Sequence, residues 1–274
     1  RTVIVVLVLV AMSAVAPVCA QQALTYTIFK DYLDSYREQY GIPALSAGVV
    51  QGGQGGWAGG LGEQDLEANI TARADTPYFV GNLSQIFGST LLLRKCYDQD
   101  TLELKDEIVR WVPGYGGPAA TVGQILTHQS SSGAYAFDPD RFSSLTAVIE
   151  ECADLPYRHV LAGEIFNRVP MLRSVPGRAL DGASNSWGAS FSSAELARYN
   201  DVLGQMARHY RLDRGQPVRA AVPLLPVDAS TGAITTALDL AEFDIALRSS
   251  SLLSRQALTA AWAQPGGPSP MPEG

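Results

Sequence analysis

The sequence has few of the residues that most often bind metals or act as catalytic amines. Its 274 residues include only three lysines and three histidines. These six residues are Lys30, Lys95, Lys105, His128, His159 and His209. HExxH, CxxC and GxGxxG motifs and a glycine-rich phosphate loop are also missing from the sequence. We therefore expect neither a metal ion nor a nucleotide cofactor.

Basic side chains are outnumbered as well. The chain has 20 Lys and Arg against 27 Asp and Glu, a formal net charge of −7, and no basic run. Nucleic acid is therefore not an expected partner. With 46% hydrophobic residues and three cysteines, the chain is neither disordered nor a small disulfide-rich scaffold.

The first 20 residues have the pattern of a secretion signal. Arg1 precedes an apolar run over residues 3–12, and the small residues Val18 and Ala20 stand at the spacing that signal peptidase recognises. The alternative is a membrane anchor, but the run is shorter than the roughly 20 residues that a span requires. We predict a signal peptide over residues 1–20 and a secreted or periplasmic mature chain without a transmembrane span.

Two cysteines remain after the predicted signal, because Cys19 would be removed with it. In an oxidising compartment, Cys96 and Cys152 can form a disulfide if their Cα atoms come close enough. The alternative is that both are small buried hydrophobic residues. The sequence leaves both possibilities open.

Hydrophobic spacing predicts an α+β protein. Residues 24–40 have a helical stripe, and two short apolar runs around the glycine-rich stretch 51–56 predict an antiparallel hairpin. Helical patterns dominate from Thr101 onward, including residues 106–112 and 192–210. One helix, a strand pair and many later helices favour α+β over a parallel α/β sheet.

Residues 76–97 read as an apolar strand, a glycine and then a helix. The start of such a helix has free N–H groups and the positive end of the helix dipole. These features stabilise developing negative charge, so this turn is a natural position for a nucleophile.

Three segments in order carry a family resemblance: GIPALSAGVV, TPYFVGNLSQIFGSTLLLRKCYDQDTLELKDEIVRWVPGY and ATVGQILTHQSSSG. Together they resemble the serine β-lactamase, penicillin-binding protein and esterase superfamily of the class C type. The similarity extends over roughly residues 29–264.

The resemblance implies a β-lactamase/transpeptidase-like α+β domain over residues 21–274, with an antiparallel sheet flanked by helices and a helical subdomain. Residues 24–98 and 230–264 would form the sheet side, and residues 99–229 the mainly helical portion. The family's third motif, a Lys-Thr-Gly or His-x-Gly strand, is not in the sequence. We therefore expect that C-terminal strands of the family's sheet are missing and that the hairpin has an unpaired edge.

The same resemblance places Asn82 and Gln85 at the serine and lysine of the family's Ser-x-x-Lys motif. That chemistry needs a hydroxyl that attacks an acyl carbon and an amine one turn later that takes its proton. Neither carboxamide supplies these groups. No Ser-x-x-Lys occurs elsewhere in the sequence.

The family's second motif, Tyr-x-Asn, is also altered. The stretch AFDPDRF takes its place, so Asp138 or Phe137 replaces the tyrosine and Asp140 the asparagine. A small shift of register would bring Tyr135 nearby. We interpret this change as the loss of a proton shuttle.

Serines near these positions are the alternative nucleophiles. Ser84 lies two residues beyond Asn82, so on a helix it points about 200° away, toward packing or the backbone. Ser130, Ser131 and Ser132 read as turn residues. His128 matches a family histidine that holds loop backbone.

Three functional hypotheses follow. The first is an exported pseudoenzyme without cofactors, in which Asn82, Gln85 and Tyr135 line a pocket for a small molecule, a peptide or a cell-wall fragment. The second is an active serine hydrolase or esterase with a relocated nucleophile such as Ser84. The third is a truncated gene product without a selected role.

Overall fold

The computed structural model describes residues 22–178, 191–222 and 226–263. The predicted signal peptide, residues 1–20, lies outside these ranges. Within them, no helix has both the length and the apolar character needed to cross a bilayer.

The N-terminal part of the chain forms an antiparallel sheet in the order β1-β2-β3. Its strands are β1 (Ala44–Gln51), β2 (Gln54–Asp65) and β3 (Ile70–Thr71). Gly52 and Gly53 make the turn between β1 and β2, with φ angles of 57° and 73° that suit glycine. The predicted hairpin is therefore confirmed.

Most other described elements are helical. A first helix, α1, runs through residues 22–39. The later helices are α2 (Gln85–Leu92), α3 (Val122–Leu126), α4 (Pro139–Ser143), α5 (Leu145–Ala153), α6 (Tyr157–Leu161), α7 (Ser193–Gly204), α8 (Ala237–Arg248) and α9 (Arg255–Trp262). Two further strand pairs are β4 (Tyr78–Phe79) with β7 (Ile234–Thr235), and β5 (Tyr210–Asp213) with β6 (Gln216–Arg219). The predicted α+β class is confirmed.

Helices cover both faces of the three-stranded sheet. On one face, Phe29 of α1 meets Trp57 of β2 edge to face, with ring centroids 5.8 Å apart. On the other face, Gly48 of β1 lets α8 approach closely, because a Cβ there would lie 3.2 Å from the Ala237 carbonyl oxygen. The sheet is thus flanked by helices, as the resemblance implied.

An exposed apolar ridge follows the outer face of α1 and ends at Tyr40, one residue beyond the helix. Its five side chains are spaced four residues apart and are 43–63% exposed. They are Leu24, Ile28, Tyr32, Tyr36 and Tyr40. This ridge is apolar surface that the described part of the chain leaves exposed. The outer edge of β1 has no strand partner among the described residues.

Two predicted helices differ from the structure. Residues 106–112 form only the single turn Ile108–Arg110, because the Ile108 N–H bonds the Ala120 carbonyl in a strand-like bridge. The helix predicted over residues 192–210 ends at Gly204. Beyond Gly204 the backbone N–H groups no longer continue the helix. The Ala207 N–H, for example, donates to the carbonyl of Pro77, which directly precedes β4, at 2.9 Å.

The main core is centred on α2. Phe87 is fully buried and meets Phe166 and Phe243 edge to face, with ring centroids 5.4 and 5.1 Å apart. Such aromatic contacts stabilise the fold beyond the contribution that comes from removing apolar area from water. α2 therefore has little freedom to move relative to its neighbours.

A disulfide joins Cys96, just beyond α2, to Cys152 of α5. The Cα atoms lie 5.5 Å apart, within the range that a disulfide requires, and the residues are 56 apart in sequence. Of the two alternatives that the sequence left open, the structure has the bridge.

We expect reduction of this disulfide to lower the free energy of unfolding by about 4 kcal/mol, because the bridge closes a long loop in the unfolded chain. Denaturant unfolding with and without dithiothreitol measures the change. A double variant, Cys96→Ala with Cys152→Ala, should be insensitive to the reductant. Equal stability of the reduced and oxidised protein would contradict the prediction.

Gly88 allows α2 to pack directly on the chain that precedes β7. A Cβ at Gly88 would lie 2.4 Å from the carbonyl oxygen of Ala229, which is backbone and cannot turn aside. Gly163, by contrast, is exposed, lies in the helical turns after α6 and has nothing within 4 Å of the same position.

Gly88→Ala should therefore destabilise the fold by about 1–3 kcal/mol through overpacking. Gly163→Ala is the matched control and should be neutral or slightly stabilising, because alanine favours helix more than glycine does. Chemical denaturation of the two variants compares them. Equal stability of both would show that α2 is not tightly packed at Gly88.

Candidate functional site

The candidate site begins where β4 turns into α2. Gly81 has a φ angle of 52° and starts a single helical turn, Gly81–Ser84, that leads directly into α2. The Val80 N–H donates to the carbonyl of Ala233 at 3.2 Å, which attaches this turn to the residue just before β7. Asn82 is exposed in the first turn, at the positive end of the helix.

Ser84 points away from solvent at this turn. Its side chain is 1% exposed, donates to the Gly81 carbonyl at 2.7 Å and accepts the Ala233 N–H at 3.1 Å. Both bonds join the turn to neighbouring backbone, as the helical geometry of the sequence indicated. The hydroxyl has no acid or base partner among the described residues.

Gln85 contacts His128 across 43 residues of sequence. The Gln85 Oε1 lies 2.9 Å from the His128 Nε2, and the other ring nitrogen, Nδ1, accepts the Asp138 N–H at 3.2 Å. A ring nitrogen that accepts carries no proton, so Nε2 holds the proton and donates it to Gln85. Both nitrogens of His128 are thus occupied.

His128 also holds the loop that follows it. Its own φ angle is 52°, and its carbonyl accepts the Ala136 N–H at 2.6 Å. The loop therefore starts and ends on His128, which agrees with the backbone-holding role that the resemblance implied. We name residues 129–137 the aromatic loop.

The acidic candidates lie just beyond the aromatic loop. Asp138 precedes α4 and its carboxylate accepts the Arg141 N–H at 2.9 Å, which caps that helix. Asp140 is exposed in the first turn of α4. Asp138 thus contacts His128 through its backbone N–H only. The carboxylates of Asp138 and Asp140 both lie at the start of α4.

Three aromatic side chains flank the imidazole: buried Phe142, stacked at 5.2 Å, and the exposed Tyr135 and Phe137. Tyr135 is 73% exposed and its ring centroid lies 6.3 Å from that of His128. Phe137 is 52% exposed and lies at 4.6 Å. The structure thus brings Tyr135, Phe137 and Gln85 around one histidine.

The serines of the aromatic loop are turn residues. The Ser130 N–H donates to the Ala134 carbonyl at 2.8 Å, and the Ser130 and Ser132 hydroxyls bond each other at 2.9 Å. Ser131 and Ser132 are exposed.

The lysines lie elsewhere. Lys95 is ten residues beyond Gln85, about 15 Å along the helix, and its Nζ lies 3.1 Å from Glu164. Lys105 pairs with Glu103 on the surface, and Lys30 is exposed on α1. No lysine therefore stands one turn from Asn82. The described residues also contain no group of three or more His, Cys, Asp or Glu side chains that could hold a metal ion.

A family model described as Beta-lactamase matches residues 29–274. The chain belongs to the Beta-lactamase family. The superfamily resemblance seen in the sequence is thereby confirmed. No curated protein sequence matches the chain.

Solved structures of this superfamily share the fold. The octameric penicillin-binding protein homologue from Pyrococcus abyssi aligns with a TM-score of 0.66 and 18% identity, over 85% of this chain and 59% of that one. A class C β-lactamase from Rhodobacter sphaeroides gives 0.62 and 18%, over 83% and 67%. The D-alanine carboxypeptidase AmpC from Burkholderia cenocepacia gives 0.59 and 19%, over 82% and 64%. The chain thus spans about three fifths to two thirds of these relatives' lengths.

In this Beta-lactamase family member, the described site is rich in neutral hydrogen-bonding groups. Asn82 offers a donor and an acceptor at a helix start, and Gln85 is held by the imidazole of His128. Such groups bind a carbonyl but do not attack one. Sequence reasoning identified Asn82 and Gln85 but missed the link to His128, because no local pattern reveals a contact between distant loops.

The site electrostatics favour neutral His128. Burial of the ring lowers its pKa, the Asp138 carboxylate raises it, and the Arg141 guanidinium lowers it, so the pKa in the folded protein lies below 6.5. The unfolded chain therefore takes up this proton more readily than the folded one. Stability from neutral His128 is complete above about pH 6.5 and is lost as the pH falls through the lower folded pKa.

We expect the free energy of unfolding to fall between pH 7.5 and pH 5, and to fall less in His128→Asn. Asparagine tolerates the left-handed backbone at this position and does not titrate in this range. Denaturant titrations of both proteins at both pH values measure the difference. His159 and His209 are present in both proteins, so the comparison isolates the contribution of His128. An identical pH dependence of the two would contradict the prediction.

Proposed function

We propose that this protein is an exported, non-hydrolytic member of the Beta-lactamase family that binds a carbonyl-bearing ligand, such as a peptide or a cell-wall fragment. The observation that carries the proposal is the pair of carboxamides, Asn82 and Gln85, at the positions where acyl transfer requires an alcohol and an amine. Two structural relatives are a class C β-lactamase and a D-alanine carboxypeptidase, and both activities depend on attack at a carbonyl.

The geometry around the turn supports the loss of chemistry. Ser84 is buried and bonded to backbone, and neither nitrogen of His128 is free to take a proton from a hydroxyl. A nucleophile with a normal pKa needs such an acceptor beside it. Asn82 keeps the exposed position at the helix start, where a ligand oxygen is stabilised.

Export is supported by the Cys96–Cys152 bridge. Disulfides persist in oxidising compartments and are rare in reducing ones. The apolar run before residue 20 points to the same compartment.

We expect no covalent labelling of the pure protein by a fluorescent penicillin or a fluorophosphonate, read as an unchanged intact mass, because the Ser84 hydroxyl bonds only backbone and the Ser130 and Ser132 hydroxyls bond each other rather than a base. A class C β-lactamase treated in parallel is the positive control. A mass increase that disappears in Ser84→Ala, or in a variant with Ser130, Ser131 and Ser132 changed to alanine, would instead identify an active hydrolase with a relocated nucleophile.

A further inference from the structure

Tyr135 and Phe137 are the two aromatic side chains of the aromatic loop. Both rings contact the same imidazole, that of His128, and both remain more than half exposed. Large exposed aromatic side chains beside a polar site are a common feature of ligand-binding surfaces. Nothing in the role of a helix cap or a turn requires them there.

Hydrogen bonds within the protein hold the aromatic loop in place. The Ala136 and Asp138 N–H groups both bond His128, and the Ser130 N–H closes the turn onto Ala134. A surface that is held in place before binding loses less conformational entropy when the ligand arrives. The two rings can therefore act as a preformed stacking surface.

The charges around this surface exclude an anionic group. The carboxylates of Asp138 and Asp140 are at the exposed side, at the start of α4. The cation that acts on His128 is Arg141, whose Nη1 donates to the Gln129 carbonyl at 2.6 Å and whose Nε and Nη2 are buried. A ligand carboxylate would thus meet two negative charges and no accessible positive one.

We propose that the site takes an internal peptide segment with an aromatic residue, rather than the carboxylate end of a chain. The aromatic side chain stacks on Tyr135 and Phe137, and a neighbouring backbone amide pairs with the exposed carboxamide of Asn82. This inference rests on the proposed function and narrows its ligand to an uncharged peptide segment. Main-chain amides match the donor and acceptor of a carboxamide without the cost of burying a charge.

The test compares three peptides by isothermal titration calorimetry and by NMR of the ¹⁵N-labelled full chain. The first is acetyl-alanyl-phenylalanyl-alanine amide, the second is the same peptide with a free carboxylate, and the third replaces phenylalanine by alanine. We expect the first to bind about fivefold or more tightly than the second and about tenfold more tightly than the third. The signals of Asn82, Tyr135 and Phe137 should shift on binding.

Variants of the aromatic loop provide the second readout. Tyr135→Ala and Phe137→Ala should each weaken binding of the first peptide about three- to tenfold. Phe137→Leu keeps the apolar bulk but removes the ring. It therefore distinguishes loss of ring stacking from misfolding of the loop, and it should also weaken binding. Tyr32→Ala, which removes another exposed ring on the distant ridge of α1, is the matched control and should leave affinity unchanged.

The outcomes separate the two proposals. Equal or tighter binding of the free acid, with Asn82 signals still shifting, overturns the aromatic peptide inference but leaves the proposed function in place. Binding that is insensitive to Tyr135→Ala and Phe137→Ala overturns the inference in the same way. Release of alanine from the free acid, or absence of binding by all three peptides and by a soluble muramoyl peptide, overturns the proposed function itself.

Discussion

Close packing of α2 against the chain that leads into β7 is the constraint on which the rest of the structure depends. Gly88 meets the Ala229 backbone without a side chain between them, and the Ser84 hydroxyl bonds the Ala233 N–H. These contacts fix the rotation of the helix. With Ser84 turned inward, Asn82 must face solvent and Gln85 must face His128, so the core decides which groups the site can present.

The chemistry of the site follows from that rotation. The turn Gly81–Ser84, which leads into α2, presents the exposed carboxamide of Asn82 at the positive end of the helix. The second carboxamide, at Gln85, accepts a hydrogen bond from the His128 Nε2–H, and the Asp138 N–H donates to Nδ1, so both ring nitrogens are occupied. Under the proposed function, the fold keeps a place for a ligand at a turn that has carboxamides in place of an alcohol and an amine.

The helical portion is tied to α2 at several points beyond the core. The Cys96–Cys152 bridge joins the end of α2 to α5, and Arg94 donates to Glu164 at 2.8 Å in the turns after α6. The helices under the site are therefore held together firmly. Residues 131–137 in the aromatic loop are exposed above them. Rigid support under a small exposed loop is the usual arrangement of a binding surface.

Local sequence determined where many elements begin and which family motif the given residues lack. Thr121, Ser192 and Ser254 each cap the helix that follows, and glycines set the β1–β2 turn, because capping and turn preferences act within a few residues. The lack of a Ser-x-x-Lys motif is likewise readable from the chain alone. Only the tertiary structure decided that the helix from Ser193 stops at Gly204, that two cysteines meet, and that His128 locks Gln85. Those outcomes depend on contacts between residues far apart in sequence, whose free energies override local preference.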